Sequence, residues 1–222
     1  MTSANAWEEA YQRFETPGQE QRKFIRRLRS VGVHHWSRET SVLEVCSGRG
    51  NGLIAWRRLG FSHVFGVDLS RALVERSECR QWCVVGDARS LPIRTASRDV
   101  TVVQGGLHHL PSLDDVRRAL TEMHRVLKPD GRLIVIEPWP TPFLRFVHFV
   151  TEQPMVRALS GKLDAFAAMT DEERPTYEAW LARPQPILAA LTAQFEGMLI
   201  RQRLGKLVFL GRPLARNALR DS

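Results

Sequence analysis

The sequence predicts an α/β fold with helices on a mostly parallel sheet, and three observations carry that prediction. Short apolar runs alternate with helix-like runs from residue 42 to residue 137. Three of those apolar runs carry an acid at or near their ends: Glu44, Asp68 and Glu137. The first run breaks at once into glycine at every second position, Gly48, Gly50 and Gly52. Strands that alternate with helices pair in parallel through right-handed crossovers. A strand, a glycine turn and a helix in succession form the usual mouth of a nucleotide pocket.

The elements follow in order. Residues 6–30 have helical spacing, with Trp7 and Tyr11 on one face and an interruption expected at Thr16-Pro17-Gly18. Val42–Cys46 is the first strand and Leu53–Leu59 the helix behind the glycines, stopped by Gly60. Val64–Asp68 is the second strand, and Ser70 is placed to cap a helix over Arg71–Cys79. Trp82–Val85 is a short third strand leading into Gly86-Asp87-Ala88, and Val100–Gln104 is the fourth. A loop over Gly105–Pro111 and a helix over Ser112–Leu127 lead to a turn at Lys128-Pro-Asp-Gly131 and a fifth strand, Leu133–Glu137. Residues 138–196 are mainly helical, and Gly197–Leu204 and Lys206–Arg212 are expected to pair antiparallel at the sheet edge.

The 222 residues suffice for one domain with a full core. The expected division is a helical cap (1–40), a ligand-binding core (41–137), a helical insert (138–196) and the terminal strand pair (197–212). No apolar stretch is long enough to span a bilayer, and no signal peptide is visible at the start. The three cysteines lack zinc-type spacing, so reduced thiols in a cytoplasmic protein are expected. The net charge of +8 is compatible with a polyanionic partner. Its densest run, Arg22–Arg29, places Phe24, Ile25 and Leu28 on one stripe, so a solvated basic face on a surface helix is the simpler expectation.

The expected strand ends bring together Glu44, the Gly48–Gly52 turn, Asp68, Asp87, Gln104 to His109, and Glu137. A dinucleotide site would offer its glycine turn to a pyrophosphate. An acid beneath that turn repels phosphate, and Leu53 stands where a G-x-G-x-x-G fingerprint needs glycine. A cationic cofactor fits better, and S-adenosylmethionine carries an ammonium, a sulfonium and no phosphate. Glu44 would then meet the amino group, Asp68 the ribose hydroxyls, Asp87 the adenine amine and Arg49 the carboxylate.

In these motifs the chain resembles the class I S-adenosylmethionine-dependent methyltransferases of the type-11, ubiquinone-methylase-like family. The residues that carry the resemblance are Glu44-x-x-x-Gly48-x-Gly50, Val67-Asp68-Leu-Ser, Gly86-Asp87-Ala88 and Arg125-Val-Leu-Lys-Pro-Asp-Gly-Arg132. It covers residues 40–137, and 197–212 by architecture. It implies a Rossmann-like seven-stranded sheet of order 3-2-1-4-5-7-6 with strand 7 antiparallel. It also implies a cofactor site at Glu44, Gly48, Arg49, Gly50, Gly52, Asp68, Leu69, Asp87, Ala88, Gln104 and Gly105. The Cys46-Ser47 pair departs from the pattern, which often has glycine there; both residues are small.

Methyl transfer needs mainly in-line placement, and a base only when the acceptor must lose a proton. His108 and His109 are the candidate bases, ahead of His148, Glu137, Asp164 and Tyr177; no metal is expected. The apolar run Phe143–Val150, with Phe166, Met169, Tyr177 and Trp180, suggests a lid over a small apolar or aromatic acceptor. Simple core packing and contact with a membrane surface through neighbours such as Arg145 and Arg157 are the other readings of that segment. RNA or protein as the acceptor, a nicotinamide-dependent oxidoreductase and a catalytically silent partner protein are the alternatives for the whole chain. Acceptor identity and oligomeric state are left open.

Overall fold

The computed structural model describes residues 15–151, 153 and 161–215. Trp7, Tyr11 and Arg157 lie outside them, and so does the side chain of Met169. One seven-stranded sheet runs β3-β2-β1-β4-β5-β7-β6. Its strands are β1 Val42–Val45, β2 Val64–Asp68, β3 Cys83–Val85, β4 Arg98–Gln104, β5 Leu127–Pro138, β6 Phe195–Arg203 and β7 Lys206–Pro213. The first five pair in parallel; β7 lies antiparallel to β5, and β6 antiparallel to β7. This is the expected order.

Eight helices pack around the sheet: α1 Pro17–Ser30, α2 Asn51–Arg58, α3 Arg71–Arg76, α4 Leu113–Val126, α5 Pro142–Thr151, α6 Gly161–Glu172, α7 Arg174–Leu181 and α8 Pro184–Thr192, counted among the described residues. Alternation of side chains along each strand divides the core in two. On one face Val42, Val102, Ile134 and Ile136 meet Phe24 and Leu28 of α1 and Leu53 and Trp56 of α2. On the other, Leu43, Val103, Val135 and Phe209 meet Leu120 and Met123 of α4, Trp180 of α7 and Leu191 of α8.

Several boundaries differ from expectation, each for a local reason. The break expected at Thr16-Pro17-Gly18 falls at a helix start: Thr16 and Gln19 form a reciprocal capping box, and Pro17 occupies the first turn, where its missing N–H costs nothing. The helix after Ser70 ends at Arg76 rather than Cys79, because Ser77 turns extended and its hydroxyl bonds back to the Arg49 carbonyl. Trp82 closes a short 3-10 turn, so β3 starts one residue later. Leu127 pairs with Arg98 and Arg132 with Val100, so β5 begins before the expected turn and Lys128–Gly131 bulge out of the ladder.

Helix α5 departs most from its reading. Phe143, Phe146 and Phe149 are 49%, 64% and 63% exposed, so they face outward rather than enclosing a pocket; Leu144 alone on that helix is an apolar residue buried inward. Trp180 is a core residue whose indole donates to the Pro138 carbonyl at 2.8 Å. Among the described residues no helix is long and apolar enough to cross a membrane.

Candidate active site

A cavity of about 930 Å³ opens along the carboxyl ends of the strands, where an open α/β sheet places its ligands. Every expected cofactor residue except Gly50 and Gly52 lines it: Glu44, Gly48, Arg49, Asp68, Leu69, Asp87, Ala88, Gln104 and Gly105, together with His108 and His109.

Gly50 and Gly52 act from behind the wall. Gly50 sits at φ 80°, and a β-carbon there would lie 2.6 Å from the Ser77 hydroxyl. Gly52 is in the first turn of α2, and a β-carbon on it would lie 1.9 Å from Glu44 Oε1. The glycine is therefore the space that Glu44 occupies. Glu44 is 3% exposed, and burial pushes its carboxyl up to about 8, against the hydrogen bond from Gln104 Nε2 at 3.4 Å. Glu44 Oε2 and Gln104 Oε1 are buried acceptor atoms with no hydrogen-bond partner among the described residues. Buried acceptors left unmatched cost free energy that a cationic donor recovers, so this pocket fits an ammonium.

Asp68, at the end of β2, holds the turn together. Its Oδ2 accepts from the Gly48 N–H at 2.7 Å and its Oδ1 from the Ser70 N–H at 2.8 Å. Asp87 is gripped by Arg89, whose Nε and Nη2 reach it at 3.0 and 2.6 Å, and this hydrogen bonding holds the carboxyl below its usual range. Cys46, where the family pattern has glycine, adopts φ 58°, the left-handed region that glycine enters at least cost.

The far end of the cavity is built around His108. Its Nδ1 meets Glu137 Oε2 at 2.8 Å, and the other oxygen of Glu137 accepts from the Gly106 and Leu107 N–H groups at 2.8 Å each. Burial opposes the Glu137 charge, but these donors outweigh it and hold the carboxyl low. A charged carboxylate only accepts, so Nδ1 carries the proton in the neutral ring and leaves the lone pair on Nε2, which takes a second proton in the charged ring. That Nε2 lies 3.5 Å from Glu173 Oε2, and His109 Nδ1 lies 3.7 Å from Glu173 Oε1. Burial opposes a charge on His108 too, yet the bonds to Glu137 and Glu173 raise its pKa above the ordinary histidine value. His109 is lowered by burial and by His108 beside it. Tyr177 packs edge-on against His108, and its hydroxyl lies 3.2 Å from His148 Nε2. One ligand atom each from His108, His109 and Glu173 lie within 4.8 Å of one another, a set that could hold a metal ion; the histidine–carboxylate contacts account for the same geometry without one.

Three groups in the wall were not expected: Glu173, Lys206, and the Lys23–Arg27 pair of α1. The basic run of α1 is not wholly a solvated face. Arg22, Arg26 and Arg29 point outward, whereas Lys23 and Arg27 turn into the cavity beside Glu20 and Phe24. The four-residue spacing of Lys23 and Arg27 was the available signal. Glu20 and Gln21 also tie α1 to the glycine turn through Asn51, at 2.6 and 2.9 Å.

The strand order, the glycine turn and the row of acids define the class: an α/β methyltransferase fold. Residues 43–135 match the family described as a methyltransferase domain. The demethylmenaquinone methyltransferase of Lactiplantibacillus plantarum is 32% identical over 130 residues, covering 49% of this chain and 54% of that protein. A ubiquinone/menaquinone biosynthesis C-methyltransferase from a Ruegeria species is 31% identical over 132 residues, covering 49% and 50%. The chain thus spans about half the length of these curated relatives. A solved SAM-dependent methyltransferase from Methanosarcina mazei shares the fold at a TM-score of 0.59 and 17% identity, over 83% of this chain and 97% of that one. None of these similarities favours a nicotinamide-dependent oxidoreductase.

Proposed function

We propose that this chain is an S-adenosylmethionine-dependent methyltransferase that acts on a small organic acceptor with an apolar body. The observation that carries this reading is the buried, unmatched acceptor pair at Glu44 and Gln104 beneath a glycine turn that leaves room for it. When bound, the cofactor supplies a methyl group on a sulfonium, and the acceptor's electron pair bonds that carbon as the carbon–sulfur pair returns to sulfur. The protein's own residues then have distinct tasks. Glu44 and Gln104 hold the ammonium, directly or through water. Asp68 receives the ribose hydroxyls on the lone pairs that Gly48 and Ser70 leave free, and Arg49 takes the carboxylate. Asp87, Leu69 and Ala88 flank the adenine, and Gly48 and Gly105 keep the backbone close. His108 Nε2 accepts the proton that the acceptor sheds, Glu137 fixes the tautomer, and His109 with Glu173 steadies the ring. The relatives named for quinone biosynthesis favour a ring carbon of a quinol-like acceptor, where such a proton must leave. Calorimetric titration with S-adenosylhomocysteine tests the cofactor reading. Micromolar binding that weakens in Asp68→Ala is expected; absence of heat, or an Asp68→Ala variant equal to wild type, would overturn it.

A further inference from the structure

Lys206 opens β7 and pairs with Pro138 of β5 across the sheet. It lines the cavity, and among the described residues its ammonium has no hydrogen bond and no ion pair. Its neighbours are of mixed sign. Lys23 and Arg27 of α1 press against its charge, while Glu137 of β5 and Glu15 favour it; Glu15 is already paired with Lys23, and Glu137 with His108. Glu20, on the same helix as Lys23, is bonded to Asn51. Burial is the largest influence, and with the two cations it pushes the amine down to about 7. The half-buried amine therefore gives up its proton more readily than an ordinary lysine, and an anion beside it favours the charged form.

The position of Lys206 separates it from the cofactor end. Neighbouring strands lie about 4.8 Å apart, so β7 stands roughly 10 Å beyond Gln104 on β4 and roughly 14 Å beyond Glu44 on β1. The adenine and ribose residues lie the other way, on β2 and after β3. Leu144, Phe166 and Leu204 line the cavity near this end and supply an apolar wall.

We propose that Lys206, flanked by Lys23 and Arg27, receives an anionic oxygen of the acceptor, so that the substrate class is an organic acid: an apolar body bearing a carboxylate or an ionised hydroxyl. The proposal rests on the methyltransferase reading and deepens it. A bound anion draws a proton onto the amine, so binding near neutral pH takes up a proton.

The test is calorimetry on the full chain saturated with S-adenosylhomocysteine, with naphthoate, para-nitrophenolate and the neutral naphthalenemethanol as probes. At least one anion should bind about tenfold or more tighter than the neutral probe, the scale of one charge-assisted hydrogen bond. Preference for naphthoate assigns the carboxylate, and preference for nitrophenolate the ionised hydroxyl. Lys206→Met should erase the discrimination. Lys206→Arg should keep it while abolishing proton uptake, measured by repeating the titration in buffers of different ionisation enthalpy. Equal binding of neutral and anionic probes, no anion binding, or discrimination that survives Lys206→Met overturns the proposal. Homocysteine-cofactor affinity, measured first in every variant, separates this outcome from failure of the methyltransferase reading and from loss of the fold.

Discussion

The two ends of the cavity are built in different ways. The cofactor end is assembled from strand termini and the turns that follow them, so Glu44, Gly48, Gly50 and Gly52 lie within nine residues of one another. The end proposed for the acceptor takes Lys23 from α1, His108 from the loop after β4, Glu137 from β5, Glu173 at the start of α7 and Lys206 from β7. The first end is set by local backbone geometry, which glycine and short spacings encode directly. The second exists only once distant elements pack. The cofactor end should therefore be broken by small local changes, and the acceptor end by removing one partner of a long-range pair.

The largest effect is expected at the acceptor end. His108→Ala should lower turnover by about 10²–10⁴-fold, the usual contribution of a positioned base, with S-adenosylhomocysteine affinity unchanged. Glu137→Gln should cost nearly as much. The glutamine oxygen can still accept from Gly106 and Leu107, but its amide would donate to His108 Nδ1 and move the ring proton to Nε2, where it blocks base action. Because only the neutral ring accepts a proton and its pKa is raised above the ordinary histidine value of 6.5, wild-type turnover should climb with pH through a midpoint above 6.5. A flat profile, or full turnover in either variant, would remove His108 from the mechanism while leaving the cofactor end untouched.

The next effect belongs to the cofactor end. Asp68→Ala removes the acceptor of two backbone N–H groups as well as the proposed ribose partner, and should weaken S-adenosylhomocysteine about 10–100-fold by calorimetry. Turnover at saturating cofactor should fall much less. Equal losses of affinity and turnover would mean that the two ends are not separable.

What the sequence revealed divides along the same line. The glycine turn, and Glu44, Asp68 and Asp87 at the strand ends, were legible because each depends on neighbours a few residues away, whereas the strand order followed from the family resemblance. His108 was legible as a candidate by its place after β4, but its orientation was not, since Glu137 stands 29 residues on. Glu173 and Lys206 carried no local mark: the last acid of an Asp-Glu-Glu run at a helix start and a lysine opening a strand occur on any surface. The aromatic run of α5 misled because its pattern is apolar on several faces, and only the packed structure decides that Leu144 turns inward while its phenylalanines face outward. The start of α1 was legible in Thr16-Pro17-Gly18, whose composition is that of a break and of a cap.

A smaller, strictly local effect tests the glycine-for-carboxylate exchange. Gly52→Ala should destabilise the protein by roughly 1–3 kcal/mol in chemical denaturation, because its β-carbon and Glu44 Oε1 cannot occupy the same space. Glu44→Ala in the same chain should recover much of that loss. Additive losses in the double variant would show that the clash is relieved elsewhere.

The smallest effect is a fraction of a proton, yet it discriminates most finely between the ends. Glu44 has an ordinary carboxyl value of 4.5 when unfolded and is raised by burial to about 8 in the folded chain. The folded state thus binds more protons than the unfolded one between those values, so this group costs stability increasingly as pH rises from 4.5 towards 8. Glu44→Gln should accordingly raise the melting temperature at pH 8 more than at pH 5. An ammonium placed against Glu44 favours the charged form and pulls its pKa down, so cofactor binding at pH 7 should release protons. S-adenosylhomocysteine has the same ammonium and suits the measurement, made in two buffers of different ionisation enthalpy. Release that vanishes in Glu44→Gln assigns the proton to this carboxylate. Release that persists there, or net uptake in its place, would mean that the ammonium lies elsewhere. The anion proposed for Lys206 has the opposite sign, uptake rather than release, so the two ends of one cavity can be told apart by the direction in which a proton moves.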